Sequence, residues 1–153
     1  MKYLVDANVL SEATMARPDP TAVAWLEAHE PELVIDAIVL GELAVGVAAL
    51  PVGRKRSRLE AWFETLVATV ECLPWDAAAA REWARLVVEL RRRGRAMPLF
   101  DSMIAATARA HDLTVVTRNI RDFEPAGLDL VNPFADSDLP ASVQEPTSTY
   151  RLG

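Results

Sequence analysis

The sequence lacks the patterns that would place the protein in several large classes. Its single cysteine, Cys72, excludes a disulfide framework and a cysteine-rich zinc site. Cys72 lies in an apolar stretch, which predicts a buried and inert thiol. No apolar run approaches the roughly 20 residues needed to cross a bilayer, and the N-terminus has no signal-peptide layout. Together these absences predict a cytoplasmic protein.

The composition that remains is typical of one folded domain. The chain has 153 residues, of which 51% are hydrophobic and 25% are charged, so it is long enough to bury a core. The net charge of −6 argues against indiscriminate coating of nucleic acid.

Basic residues are nevertheless concentrated in two short runs. One run contains Arg54, Lys55, Arg56 and Arg58, and the other contains Arg91, Arg92, Arg93 and Arg95. Such runs are commonly solvated helix faces. They could equally form a local rim that attracts phosphate on an otherwise acidic protein. Both interpretations stay open at this point.

Strand and helix patterns alternate along the chain. Apolar runs predict strands at 2–6, 33–35, 69–73, 114–117 and 128–131. Helical spacing and breakers predict helices at 21–29, 38–50, 54–68, 77–93 and 98–110. Asn8 is a candidate cap for a turn or helix after the first strand. The helix at 38–50 is expected to be buried, because it is apolar almost all round.

This alternation predicts an α/β fold with a parallel central sheet sandwiched by helices on both faces. Ligands in such sheets bind beyond the carboxyl ends of the strands, where the strand order reverses. The predicted domain covers residues 1–134. Residues 135–153 are rich in Pro, Ser, Asp and Thr without periodicity, which predicts a polar, flexible tail.

Several polar side chains stand beside or inside apolar segments. They are Asp6, Glu42, Asp101, Asn119 and Asp122. An isolated carboxylate in low-dielectric surroundings is costly unless it is paired or binds a metal. Several carboxylates that are distant in sequence therefore suggest convergence on a hard cation with oxygen ligands.

Each of these residues also has a structural interpretation. Asp6 could form an Asx-turn at a strand end, and Asp101 could be a helix cap or complement the helix dipole. Asp122 could cap a helix or pair with Arg118 or Arg121. A structural role for Glu42 would require a buried cationic partner, since it is the only charged residue between Ala37 and Gly53.

Taken in order, the motifs resemble those of PIN domains. The segments that carry the resemblance are Val5-Asp6-Ala7-Asn8-Val9-Leu10-Ser11-Glu12, Glu42-Leu43, Phe100-Asp101-Ser102-Met103-Ile104-Ala105-Ala106-Thr107-Ala108, Val115-Val116-Thr117-Arg118-Asn119 with Asp122-Phe123, and Val131-Asn132-Pro133-Phe134. The nearest subgroup is the VapC toxins, especially the FitB-like branch. Two departures are Ala7, where Thr is common, and Asn119, where some members carry Asp.

The resemblance implies a Mg²⁺- or Mn²⁺-dependent endoribonuclease that acts as the toxin of a VapBC-type toxin–antitoxin system. Asp6 and Asp101 would be the main metal ligands, and Glu42 would bind metal through water or activate the attacking water. Asn119 and Asp122 would complete the site, either of them as the fourth ligand. Thr117 would support it, with Ser11 and Asn8 as further supporting candidates.

The resemblance also implies partners: an RNA substrate, a VapB-like antitoxin, a second copy of the chain in a homodimer, and DNA only through the antitoxin. The alternative function is a catalytically weak PIN domain that only binds RNA or antitoxin. An aspartyl phosphatase is disfavoured because Asp6-Ala7-Asn8 lacks the second Asp. A phospho-acceptor receiver domain is disfavoured because the only lysines are Lys2 and Lys55.

Overall fold

The protein is described by a computed structural model over residues 2–135. A five-stranded parallel sheet forms its centre, in the order β3-β2-β1-β4-β5. The strands are β1 (Tyr3–Val5), β2 (Leu33–Asp36), β3 (Glu71–Leu73), β4 (Thr114–Val116) and β5 (Leu130–Val131). The helices are α1 (Ala7–Leu10), α2 (Pro20–His29), α3 (Ala37–Ala48), α4 (Arg54–Thr69), α5 (Ala77–Arg92), α6 (Leu99–His111) and α7 (Ile120–Phe123).

The strand order places β1 at the centre of the sheet. The chain adds β2 and β3 on one side of β1 and later adds β4 and β5 on the other. The strand order therefore reverses beside β1, and the carboxyl ends of β1, β2 and β4 meet at one edge. The predicted parallel α/β fold is confirmed. None of the helices within residues 2–135 combines the length and apolar character needed to cross a bilayer.

The core consists of the central strands and the helix faces that cover them. Leu4, Val34 and Val115 are almost fully buried, because strands covered on both faces have no solvent side. Trp62 and Phe63 of α4 pack against this core while remaining partly exposed. The helix predicted at 54–68 is therefore confirmed as α4.

Three expectations from the sequence are wrong. Cys72 is exposed, because β3 is an edge strand paired only with β2 among the described residues. Asn8 lies inside α1, and Asp6 is the N-cap residue instead. The third concerns α3, which is buried along one face only, so that Val45 is 51% exposed on the other.

The tail prediction concerns residues 135–153, of which all but residue 135 lie outside the described part of the chain. At its last described position, the backbone N–H of Ala135 donates to Asp19 at the start of α2. The flexibility of this segment stays a prediction.

Candidate metal centre

Asp6 is held at the carboxyl end of the central strand by two elements. Its Oδ1 accepts a hydrogen bond from the backbone N–H of Ala7 (2.8 Å), which caps α1. Its Oδ2 accepts one from the Thr117 hydroxyl (2.8 Å), just beyond β4. Burial raises the pKa of Asp6, these hydrogen bonds lower it, and the charges of Asp36 and Asp122 raise it, so that the resulting pKa is about 6.

Thr117 connects three parts of the site through one hydroxyl group. While it donates to Asp6, its oxygen accepts from the Asn119 backbone N–H (3.0 Å) and, at 3.5 Å, from the Asn8 side chain. The Asn8 side-chain oxygen also accepts from the backbone N–H of Arg118. Thr117 and Asn8 therefore lie beside Asp6, and their supporting role in a metal site stays a prediction. Ser11 differs, because its hydroxyl donates to the Ala7 carbonyl of α1, the helix that it follows.

Glu42 lies on α3 and faces the same edge of the sheet. Desolvation, together with the neighbouring charges of Asp6, Asp101 and Asp36, raises its pKa to about 8. Its Oε1 is buried and has no hydrogen-bond partner among residues 2–135. The cationic partner that a structural role would require is therefore not found in the described part of the chain.

Asp101 and Asp122 complete the acidic group. Asp101 is buried in the first turn of α6, and its charge contributes to the raised pKa of Glu42. Asp122 lies in α7, and its charge acts on Asp6. Asn119 is buried at the N-cap position of α7, beside Thr117. All five candidate residues from the sequence therefore meet at one edge of the sheet.

One acidic residue of the site, Asp36, was missed by the sequence interpretation. It is fully buried at the end of β2, and its charge raises the pKa of both Asp6 and Glu42. Burial raises the pKa of Asp36 itself. The signal was present in the sequence, because Asp36 follows the apolar run Leu33-Val34-Ile35 just as Asp6 follows β1.

The donor set fits a hard divalent cation that keeps part of its water shell. Among residues 2–135, no group of three or more His, Cys, Asp or Glu side chains is arranged so that it could hold a metal ion by itself. Mg²⁺ does not require one, since it is usually held by one or two carboxylates together with water and substrate phosphate. The buried Oε1 of Glu42 accepts no hydrogen bond from the described residues, and such an ion or one of its waters would supply a partner.

The residues of the two basic runs lie in different surroundings near this centre. Arg91 and Arg95 line a groove of about 240 Å³ with Trp83 and Leu99, at the start of the helix that carries Asp101. Arg93 instead donates to the Pro125 carbonyl (2.6 Å) and holds α5 to the segment after α7. Lys55 and Arg58 line a second, mainly apolar groove of about 340 Å³.

The fold and the acidic edge define a class: a parallel α/β protein whose carboxylates meet where the strand order reverses. The profile described as "PIN domain" matches residues 3–126. The chain belongs to the PIN domain family.

Three known proteins illustrate the similarity. The VapC ribonuclease Y4jK of Sinorhizobium fredii is 41% identical over 137 residues, covering 86% of this chain and 96% of that protein. The structure of FitAcB from Neisseria gonorrhoeae superposes with a TM-score of 0.81 at 33% identity, covering 86% and 97% of the two chains. VapBC-5 from Mycobacterium tuberculosis, a member of the VapBC family of toxin–antitoxin systems, gives a TM-score of 0.64 at 30% identity, covering 86% and 99%.

Proposed function

We propose that the protein is a metal-dependent endoribonuclease and the toxin of a VapBC-type toxin–antitoxin pair. The observation that carries the proposal is the meeting of Asp6, Glu42 and Asp101, with one buried oxygen of Glu42 left without a hydrogen-bond partner within residues 2–135. The relatives support the substrate class, since one is named a VapC ribonuclease and another belongs to the VapBC toxin–antitoxin systems.

Asp6 and Asp101 would hold Mg²⁺ or Mn²⁺, with Asp122 or Asn119 completing the site. The ion would supply charge stabilisation for the phosphodiester and lower the pKa of the attacking water. Thr117 and the Ala7 N–H keep the Asp6 carboxylate in one orientation. Glu42 is suited to accept the proton of the attacking water when a bound cation favours its ionised form, because its carboxyl group lies close to the proposed ligands Asp6 and Asp101.

The cognate antitoxin is the proposed protein partner. The 340 Å³ groove lies beside α3, the helix of Glu42, and is lined by Leu43, Leu50, Leu59, Trp62 and the cations Lys55 and Arg58, among others. An apolar groove with a basic rim suits an amphipathic protein segment that carries acidic residues. The homodimer and the cytoplasmic location stay predictions.

The proposal is tested by cleavage of end-labelled RNA by the purified protein, with Mg²⁺ or Mn²⁺ and with excess EDTA. Cleavage that requires metal and is lost in Asp101→Asn supports the nuclease. The matched control is Asp129→Asn, which removes an exposed carboxylate outside the acidic group. If the wild type binds tRNA and rRNA in Mn²⁺ yet leaves both intact, the alternative of a binding module is favoured.

A further inference from the structure

The two carboxylate oxygens of Asp36 accept hydrogen bonds from two different helices. Oδ1 accepts a hydrogen bond from the backbone N–H of Val39 (2.9 Å), which caps the start of α3. Oδ2 accepts one from the hydroxyl of Thr107 (2.7 Å), in the middle of α6. Asp36 and Thr107 are both fully buried. The end of β2 is thereby joined to two helices through one side chain.

Both helices carry a residue of the acidic group. Glu42 lies within about two turns of Asp36 along α3, and Asp101 lies within about two turns of Thr107 along α6. The connection Val39–Asp36–Thr107 therefore fixes the start of one helix against the other near the two carboxylates. Glu42 and Asp101 come from separate helices, so their spacing depends on how these helices are held together.

Capping alone does not explain an aspartate at this position. Ser caps a helix about as well as Asp and carries no charge into the core. A fully buried carboxylate is costly unless its oxygens are hydrogen-bonded, and Asp36 raises the pKa of Glu42 by its charge. What Asp provides beyond Ser is a second oxygen, which here receives the Thr107 hydroxyl.

We propose that Asp36 is a positioning residue, which through Thr107 sets the spacing between Glu42 and Asp101 for binding of a divalent cation. The inference rests on the proposed function, because it assumes that these carboxylates bind the ion. Outer partners that orient metal ligands commonly change metal affinity by about 10- to 100-fold when they are removed.

Three variants separate the effect of the hydrogen bond between Asp36 and Thr107 from the effects of the α3 cap and of the Asp36 charge. Thr107→Val keeps the shape of the side chain and the charge of Asp36 but removes the hydroxyl donor. Asp36→Ser keeps the cap but removes the second oxygen and the charge. Thr107→Ser keeps the hydroxyl and should rescue binding. Thr114→Val is the matched control, since Thr114 is a buried threonine at the opposite end of its strand from the acidic edge.

The primary measurement is Mn²⁺ affinity by electron paramagnetic resonance, without RNA. We expect Thr107→Val and Asp36→Ser each to weaken Mn²⁺ binding by about tenfold. Thr107→Ser and Thr114→Val should bind like the wild type. Wild-type affinity in Thr107→Val overturns the inference. The cap and the charge of Asp36, which this variant keeps, would then be sufficient for Mn²⁺ binding. A loss of the same size in Thr114→Val also overturns it, because the effect would then be one of general stability.

Amide hydrogen exchange of α3 in metal-free protein is the second measurement, and it separates this inference from the proposed function. Faster exchange in the first turn of α3 in Thr107→Val than in Thr114→Val supports the connection. Equal exchange overturns it. If the wild type binds no Mn²⁺, the metal-dependent function fails, and the exchange result alone decides whether Thr107 anchors α3 through Asp36.

Discussion

Individual carboxylates of the acidic edge are held in surroundings that disfavour their charge. Burial and mutual repulsion raise the pKa of Glu42 to about 8 and that of Asp6 to about 6. Such clusters are typical of sites that have a chemical role, because stability alone would favour neutral residues there. Removing the charge of Asp101 should therefore lower activity without lowering stability.

Asp101→Asn should reduce metal-dependent RNA cleavage by at least about 100-fold, because it removes a proposed ligand charge at almost constant volume. The free energy of unfolding should stay equal or rise, since the repulsion with Glu42 is relieved. Asp6→Asn should also abolish cleavage, but without a gain in stability, because the amide disturbs the hydrogen bond from Thr117. Asn119→Ala should have a milder effect on cleavage than either. Cleavage at the wild-type rate by purified Asp101→Asn would contradict the assignment.

The raised pKa values also predict how stability depends on pH without metal. The native protein binds protons more tightly than the unfolded chain, whose pKa values are near 3.8 for Asp6 and 4.5 for Glu42. The free energy of unfolding should therefore fall as the pH rises from about 4 to about 8. The part due to Glu42 is on the order of 1 kcal/mol, because its partial exposure screens the effect.

Urea titrations at several pH values in EDTA test this dependence. Glu42→Gln should flatten the fall between about pH 6 and pH 8, where Glu42 ionises. Adding Mn²⁺ should oppose the fall, because the cation favours the ionised carboxylates. Stability that rises with pH over this window in EDTA would mean that the acidic edge is more solvated than the structure indicates.

At the scale of elements, the arginines at and just beyond the end of α5 make two different kinds of contact. Arg93 donates to the Pro125 carbonyl, so its role is structural: it connects the end of α5 to the segment after α7. Arg91 and Arg95 line the groove beside the start of α6. We therefore assign the predicted phosphate contacts to Arg91 and Arg95, although the sequence presents all four arginines of the run as equivalent.

Replacing Arg91 and Arg95 together by Gln should weaken RNA binding and reduce its salt dependence by about one unit of slope per lost phosphate contact. RNA affinity is measured over a range of salt concentrations in an Asp101→Asn background, so that the RNA stays intact. Arg92→Gln is the control, because Arg92 lines a different surface with Ala84 and Val88. Arg93→Gln should lower stability instead. An unchanged slope in the double variant would make this pair an ordinary solvated helix end.

The elements themselves could be predicted closely from the sequence, and the contacts between them could not. Helices such as α4 and α5 repeat apolar residues at a local period, so their bounds need no knowledge of the rest of the chain. Asp36 could be recognised as a carboxylate after an apolar strand, yet its bond to Thr107 joins residues that are distant in sequence. The exposure of Cys72 depends on β3 being an edge strand, which only the strand order reveals.

At the scale of the whole molecule, the exposed apolar face of α3 bears on the predicted homodimer. Val45 is 51% exposed on this helix, on a protein with a limited core. Sedimentation at micromolar concentration should give a dimer, and Val45→Glu should shift it toward monomer. Val52→Glu should not, since Val52 is 92% exposed in the loop that follows α3. A monomeric wild type would remove the dimer prediction.

The acidic edge also predicts how the antitoxin silences the enzyme. We expect an Arg or Lys of the antitoxin to approach Asp6, Glu42 and Asp101, which would exclude metal and phosphate together. Asp101→Asn should then bind antitoxin more weakly than the wild type, with a smaller dependence on salt. Asp129→Asn should bind as the wild type does. A complex structure in which no cation of the antitoxin contacts these carboxylates would contradict the prediction.

The position of β1 has a consequence for the timing of synthesis. β1 is made first, but its carboxyl end is enclosed only when β4 pairs with it and the Thr117 hydroxyl reaches Asp6, a contact across 111 positions. A chain emerging from the ribosome therefore carries Asp6, Asp36 and Glu42 long before it can arrange them. The acidic edge is thus complete only after most of the chain has been translated, so the proposed activity is delayed until then.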